Sequence, residues 1–168
     1  MASNNGIGAG FDTLRLVLAI AVILWHCVPL TQGETDRMLA TPVWVWIYTI
    51  IPVFFALSGF LVTGSALRLT LGKFAASRIL RIVPALAVDT LVTILIIAPL
   101  VTTVSLSEFY SSSETWHYLL NMIGEIRYTL PGVFEDNPYT EVVNGSLWTI
   151  RPELAYYALM FALIGRAL

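Results

Sequence analysis

The chain has 168 residues, 57% hydrophobic and 12% charged, with a mean hydropathy of +0.78 and a net charge of -2. A soluble globular domain carries roughly 25% charged residues, so half that share marks a membrane composition, and the near-neutral balance excludes an electrostatic nucleic-acid binder. The one cysteine, Cys27, cannot form an intrachain disulfide.

Residues 1–10 read as a polar cytoplasmic end, whose glycines follow no strand and form no phosphate-binding pattern. The run Phe11-Asp-Thr-Leu-Arg-Leu-Val-Leu-Ala-Ile-Ala-Val-Ile-Leu-Trp-His26 reads as an apolar helix, just long enough to span when extended to about residue 30. It has no basic leader and no small-residue cleavage site, so it reads as a retained helix rather than a signal peptide. Asp12 and Arg15 are three apart and can pair on the first turn, where an acid suits the positive helix end. Arg15 and His26 are eleven apart, close to three turns, so they share a face with roughly 16 Å between them along the axis. Ionisable groups at such depth are functional candidates by default. The plainer alternative is a snorkelling Arg15 and a buried His26 bonded to a neighbouring helix.

A polar loop over 31–41 holds Glu34, Asp36 and Arg37, and a second span follows near 43–63. Trp44, Trp46 and Tyr48 crowd its beginning as interfacial aromatics do, and Pro52 is expected to kink it. Ser58 and Gly59 permit close helix approach, for which packing alone suffices. Residues 64–84 hold Arg68, Lys73, Arg78 and Arg81 and no acid. That segment reads as a basic cytoplasmic loop by the positive-inside rule. It also reads as a guanidinium clamp for phosphate, because Arg78 and Arg81 lie three apart on one helical face.

A third span near 85–103 contains Asp89 about one turn inside, either a structural partner for a nearby arginine, the favoured reading, or part of a polar interior. The connection over 102–145 carries six acids against Arg127 alone, and 116–130 within it reads as an interfacial or re-entrant helix. His117 has no ligand-spaced partner and reads as a surface or interfacial histidine. The end, Asn144-Gly-Ser-Leu-Trp-Thr-Ile-Arg-Pro-Glu153, opens a fourth apolar helix near 153–168, with Pro152 and Glu153 suited to its first turn. That run is shorter than the roughly 20 residues of a comfortable span, so the expectation is a truncated domain. With 64–84 inside, the N-terminus is cytoplasmic and 31–41 and 102–145 lie outside.

Four of these patterns, in this order, resemble one family. Arg15-x10-His26 is similar to the Arg-x10-His signature of membrane-bound acyltransferase-3 proteins, which include O-acetyltransferases of O-antigen and exopolysaccharide. Phe54-Phe-Ala-Leu-Ser-Gly-Phe60 resembles the family's second-helix motif, and Arg78-Ile-Leu-Arg81-Ile-x-Pro84 its Arg-x-x-Arg motif. Asn144-Gly-Ser-Leu-Trp148-Thr-Ile-x-Pro-Glu153 resembles its fourth motif, although Arg151 stands where a small or apolar residue is usual and could pair with Glu153.

The resemblance implies an all-α integral membrane bundle: about four transmembrane helices plus an interfacial helix, against about ten spans of roughly 20 residues in the whole family domain. It implies an acyl-CoA donor, with acetyl-CoA the expected one, and transfer to a hydroxyl of a cell-envelope carbohydrate at the plasma (inner) membrane of a bacterium. Carried over, His26 is the catalytic histidine, Arg15 its basic partner, Glu153 the motif acid, and Arg78 and Arg81 the pair at the CoA phosphates. Imidazole titrates near neutrality and suits the base such a transfer needs. No metal is expected, since His26, Cys27 and His117 lack ligand spacing. The expected partners are membrane lipid, donor, acceptor, and a second chain or oligomer completing the bundle. The competing class is a non-catalytic truncated subunit or a small transporter-like protein, for which internal symmetry is the missing sign.

Overall fold

The structure, a computed structural model, describes residues 9–32, 43–139 and 141–167. Glu34, Asp36, Arg37 and the side chain of Asp12 lie outside the described residues, and with them the expected Asp12–Arg15 pair. All regular structure among the described residues is helical. Contacts divide the chain into two units, Met1–Leu61 and Val62–Leu168, each described by itself.

In the first unit, helix α1 spans Ala9–Gln32. From Thr13 to Val28 it has no glycine or proline, so nothing interrupts the backbone ladder. Thr31 closes the last turn by donating its hydroxyl to the carbonyls of Cys27 and Val28, at 2.8 and 3.2 Å. Helix α2 spans Val43–Ala66 and continues through Pro52 as one helix. Its last turns belong to the second unit.

There, helix α3 runs Leu71–Val101, far longer than a span that starts at residue 85. The basic segment is therefore mostly helix, and Arg78 and Arg81 stand on its first half. Two stretches are long and apolar enough to cross a membrane, Tyr48–Ala66 and Leu71–Val101, and Thr13–Val28 is a shorter apolar helical stretch.

The turn Thr93–Ile97 of α3 widens to π-helix, with the N–H of Ala98 donating to Thr93 O. Continuing that register would require an N–H from residue 99, which is proline. The carbonyl of Ile94 instead accepts from the Tyr110 hydroxyl at 3.3 Å. A substituted donor of this kind keeps irregular backbone satisfied inside a span.

Short helices α4 (Leu106–Ser111) and α5 (Ser113–His117) follow, each capped by a serine hydroxyl that accepts a backbone N–H. A 3-10 turn, Tyr118–Ile123, then ends at Gly124 in the left-handed conformation. This glycine stops the helix that the apolar pattern of 116–130 suggests. Asn121 ties the next strand of chain back, accepting from the Arg127 N–H at 2.7 Å and donating to its carbonyl at 3.1 Å. A second 3-10 turn, Gly145–Thr149, leads into helix α6, Ile150–Ala167.

Two apolar cores hold this unit. One gathers Val62, Ala66, Phe74, Ile82, Leu86 and Tyr157 from α2, α3 and α6 with Ile126 and Leu147; the other packs Ile94 and Ala98 on Phe109, Tyr118, Leu130 and Val133. The Thr63 and Tyr156 hydroxyls are hydrogen-bonded at 2.7 Å, which fixes the end of α2 to α6. Many large apolar side chains of α3, among them Leu80, Val88, Leu95 and Leu100, face outward. An outward apolar face over a span-length helix suits lipid rather than water.

Candidate functional site

Arg15 and His26 both lie on α1 and both are half-buried, with the buried Leu18 between them. Neither is interrupted from the other by a break in the helix, so the shared face expected from their spacing follows from the backbone.

In the second unit, the structure brings Arg78 and Glu153 into one cluster through a residue the sequence reading passed over. Tyr157, buried on α6, donates its hydroxyl to Glu153 Oε1 one turn earlier. Its ring stands 5.7 Å from the Arg78 guanidinium carbon, and the Phe74 ring stands at the same distance. The guanidinium is therefore held by two aromatic faces, a contact that gains roughly 0.5–2 kcal/mol per ring depending on desolvation. The Arg78 Nε donates to Ser77 Oγ at 3.2 Å, and Ser77 in turn donates to the Phe74 carbonyl at 2.7 Å. Among the described residues no carboxylate forms a salt bridge with Arg78. Arg81, one turn on, is exposed and within electrostatic reach of the Tyr157 phenol.

The signal for Tyr157 was present in the spacing. Phe74 and Arg78 are four apart on α3, and Glu153 and Tyr157 four apart on α6, the separation at which helical side chains meet.

A cavity of about 230 Å³ adjoins this cluster. Its wall is formed by α3 from Phe74 to Leu86, by Leu154, Ala158 and Phe161 of α6, and by the Met122–Gly124 corner. Arg78 is its charged residue.

The start of α6 is set by Asp89 and Asn144. Asn144 donates its amide to both Asp89 carboxylate oxygens, at 3.2 and 3.3 Å, while its own oxygen accepts from the Ser146 N–H and hydroxyl at 3.1 and 2.6 Å. Asp89 thus has the structural role expected of it, with an amide rather than an arginine as partner. The Asn-Gly-Ser segment is capped onto α3, and Glu153 follows less than three turns later. The expected pairing of Arg151 with Glu153 does not form. Arg151 turns to the Ile126 carbonyl at 3.3 Å and to Glu125 at 4.0 Å, on the exposed side.

Tyr118 is fully buried beside Asp89 and Thr93, and its hydroxyl makes no hydrogen bond of normal geometry among the described residues. Burial, then the Asp89 charge, push its phenol well above the usual tyrosine range, with Thr93 opposing. His117 is exposed at the end of α5, as its isolation in the sequence suggests. Among the described residues no group of three or more His, Cys, Asp or Glu is placed to hold a metal.

The chain matches the acyltransferase-3 family, described as an acyltransferase domain, across residues 9–167. Neither a curated protein nor a solved structure matches it.

Proposed function

Because the chain belongs to the acyltransferase-3 family, a membrane-associated family of acyl-transferring enzymes, we propose that it acts in acyl-CoA-dependent O-acylation of a cell-envelope carbohydrate hydroxyl. Four spans at the inner membrane, with a cytoplasmic N-terminus, complete the reading. His26 is the base that takes the acceptor proton, and Arg15 the basic residue paired with it on α1. The exposed Arg81 meets the donor phosphates, and Glu153 with Tyr157 forms the polar group that positions Arg78 beside it.

The observation that carries this reading is the family match over residues 9–167, with the exposed guanidinium of Arg81 one turn from Arg78 on α3. Among the described residues no carboxylate stands at salt-bridge distance from Arg81, which leaves it to take an external anion. Guanidinium geometry matches phosphate oxygens. In the transfer, the acceptor hydroxyl loses its proton to His26, its oxygen attacks the thioester carbonyl, and the CoA thiolate leaves and is protonated.

The test is release of CoA thiol from acetyl-CoA by the chain in nanodiscs, with and without a carbohydrate acceptor. Acceptor-dependent release that disappears in His26→Ala supports the reading. Release that persists unchanged in His26→Ala removes the histidine from the chemistry.

A further inference from the structure

The cavity beside Arg78 has a wall unlike that of a coenzyme site. The pantetheine arm of CoA carries two amides, and burying an unpaired amide costs about 1–3 kcal/mol by protein mutational measures. Apart from Arg78 and the Tyr157 hydroxyl, the side chains of this wall are hydrocarbon or thioether, and the tyrosine hydroxyl is already committed to Glu153. A dry apolar void of ~150 Å³ is known to hold a benzene-sized guest, and this one is about 230 Å³. It accommodates a length of hydrocarbon, not a polar chain.

Its rim also faces the apolar side of the protein. Ile79 is 58% exposed, Val83 40% and Phe161 42%, all on the outward surface of helices α3 and α6. The wall follows α3 from Phe74 to Leu86, twelve residues or roughly 18 Å of helix. One charge, the guanidinium, stands in the half of that slot nearer Phe74, its planar face against the Phe74 and Tyr157 rings and only its Nε hydrogen-bonded among the described residues.

An anion attached directly to a hydrocarbon chain satisfies both ends at once. We propose that this cavity is the seat of an anionic membrane phospholipid, its phosphate on Arg78 and one acyl chain along α3. The arginine pair then divides its work: the exposed Arg81 faces the soluble donor, and Arg78 holds the lipid.

The test is native mass spectrometry of the whole chain released from micelles containing equal amounts of phosphatidylglycerol and phosphatidylcholine with the same acyl chains. Acetyl-CoA binding is measured on the same samples. Wild type retains phosphatidylglycerol over phosphatidylcholine, and Arg78→Gln lowers that retention about tenfold, the effect of losing one charge-assisted hydrogen bond. Ala158→Phe and Ala75→Leu, which fill the slot from opposite helices, lower it as well, and either one decides if the other fails to fold. Lys73→Gln, exposed on the same helix, leaves it unchanged. Arg81→Gln lowers acetyl-CoA binding but not lipid retention, which separates failure of the donor assignment from failure of this one. Equal retention of the two lipids, retention unchanged in Arg78→Gln or in a folded cavity-filled variant, or displacement of the lipid by acetyl-CoA at the same site overturns the proposal.

Discussion

Replacing Asn144 with alanine removes two supports at once, the amide donated to Asp89 and the oxygen that caps the Gly145–Thr149 turn. The capping share is separable, because it survives in Asp89→Ala. A double-mutant cycle of Asp89→Ala and Asn144→Ala therefore isolates the carboxylate–amide pair. Its size follows from geometry. The two contacts, at 3.2 and 3.3 Å, come from one nitrogen and count as a single shared bond. Side-chain hydrogen bonds between membrane helices average ~0.6 kcal/mol and reach ~1.7, and a charged acceptor places this pair in the upper half of that range. We expect a coupling of about 1–1.7 kcal/mol, read from unfolding in mixed micelles by the fluorescence of the five tryptophans. Asn144→Ala alone costs more than the coupling, by the ~0.5–2 kcal/mol of a lost cap. A coupling below about 0.3 kcal/mol, the noise of additivity, would show that Asp89 does not anchor the start of α6.

Tyr157→Phe keeps the ring on Arg78 and loses the hydroxyl on Glu153, whereas Tyr157→Leu loses both. The leucine variant should be less stable than the phenylalanine variant by about 1 kcal/mol, and equal unfolding midpoints would remove the ring–guanidinium contact from the account. Gly124→Ala imposes a side chain at φ 85°, at a cost of roughly 1–2 kcal/mol, and its Cβ falls on Leu154 Cδ1. An alanine variant as stable as wild type would mean that this corner is not held as described. The raised Tyr118 phenol remains neutral in the folded state where the unfolded chain ionises, near pH 10. Its contribution is therefore complete below about pH 10 and is lost as pH rises through the folded value. Tyr118→Phe should leave neutral-pH stability unchanged or higher, because the hydroxyl it removes makes no hydrogen bond of normal geometry among the described residues, and should reduce the alkaline loss. A large destabilisation at pH 7 would show that the hydroxyl is bonded.

Much of this was legible in the chain because the strongest signals in it are local. Apolar runs of span length name their own helices, and eleven residues between Arg15 and His26 place both on one helical face. Where the sequence reading fell short, the deciding partner lay far along the chain. The basic segment reads as a loop because its charges mask a helical continuation, yet its apolar side packs Phe74 and Ile82 on Tyr157 and carries the helix back to Leu71. The helix expected over 116–130 fails at Gly124, a left-handed residue where a side chain would meet Leu154, thirty residues later. Arg151 is adjacent to Glu153 in motif but is drawn to Glu125 and the Ile126 carbonyl. Asp89 waits for Asn144, fifty-five residues on. Tyr157 was the accessible omission, since its four-residue spacing from Glu153 was there to be read.

The central claim is that Arg81 holds the donor while His26 does the chemistry, and equilibrium binding of acetyl-CoA to the chain in nanodiscs tests it most directly. We expect wild type and His26→Ala to bind alike and the Arg78→Ala, Arg81→Ala double variant to lose most of its affinity. Binding undiminished in the double variant, or absent from wild type, would contradict the account.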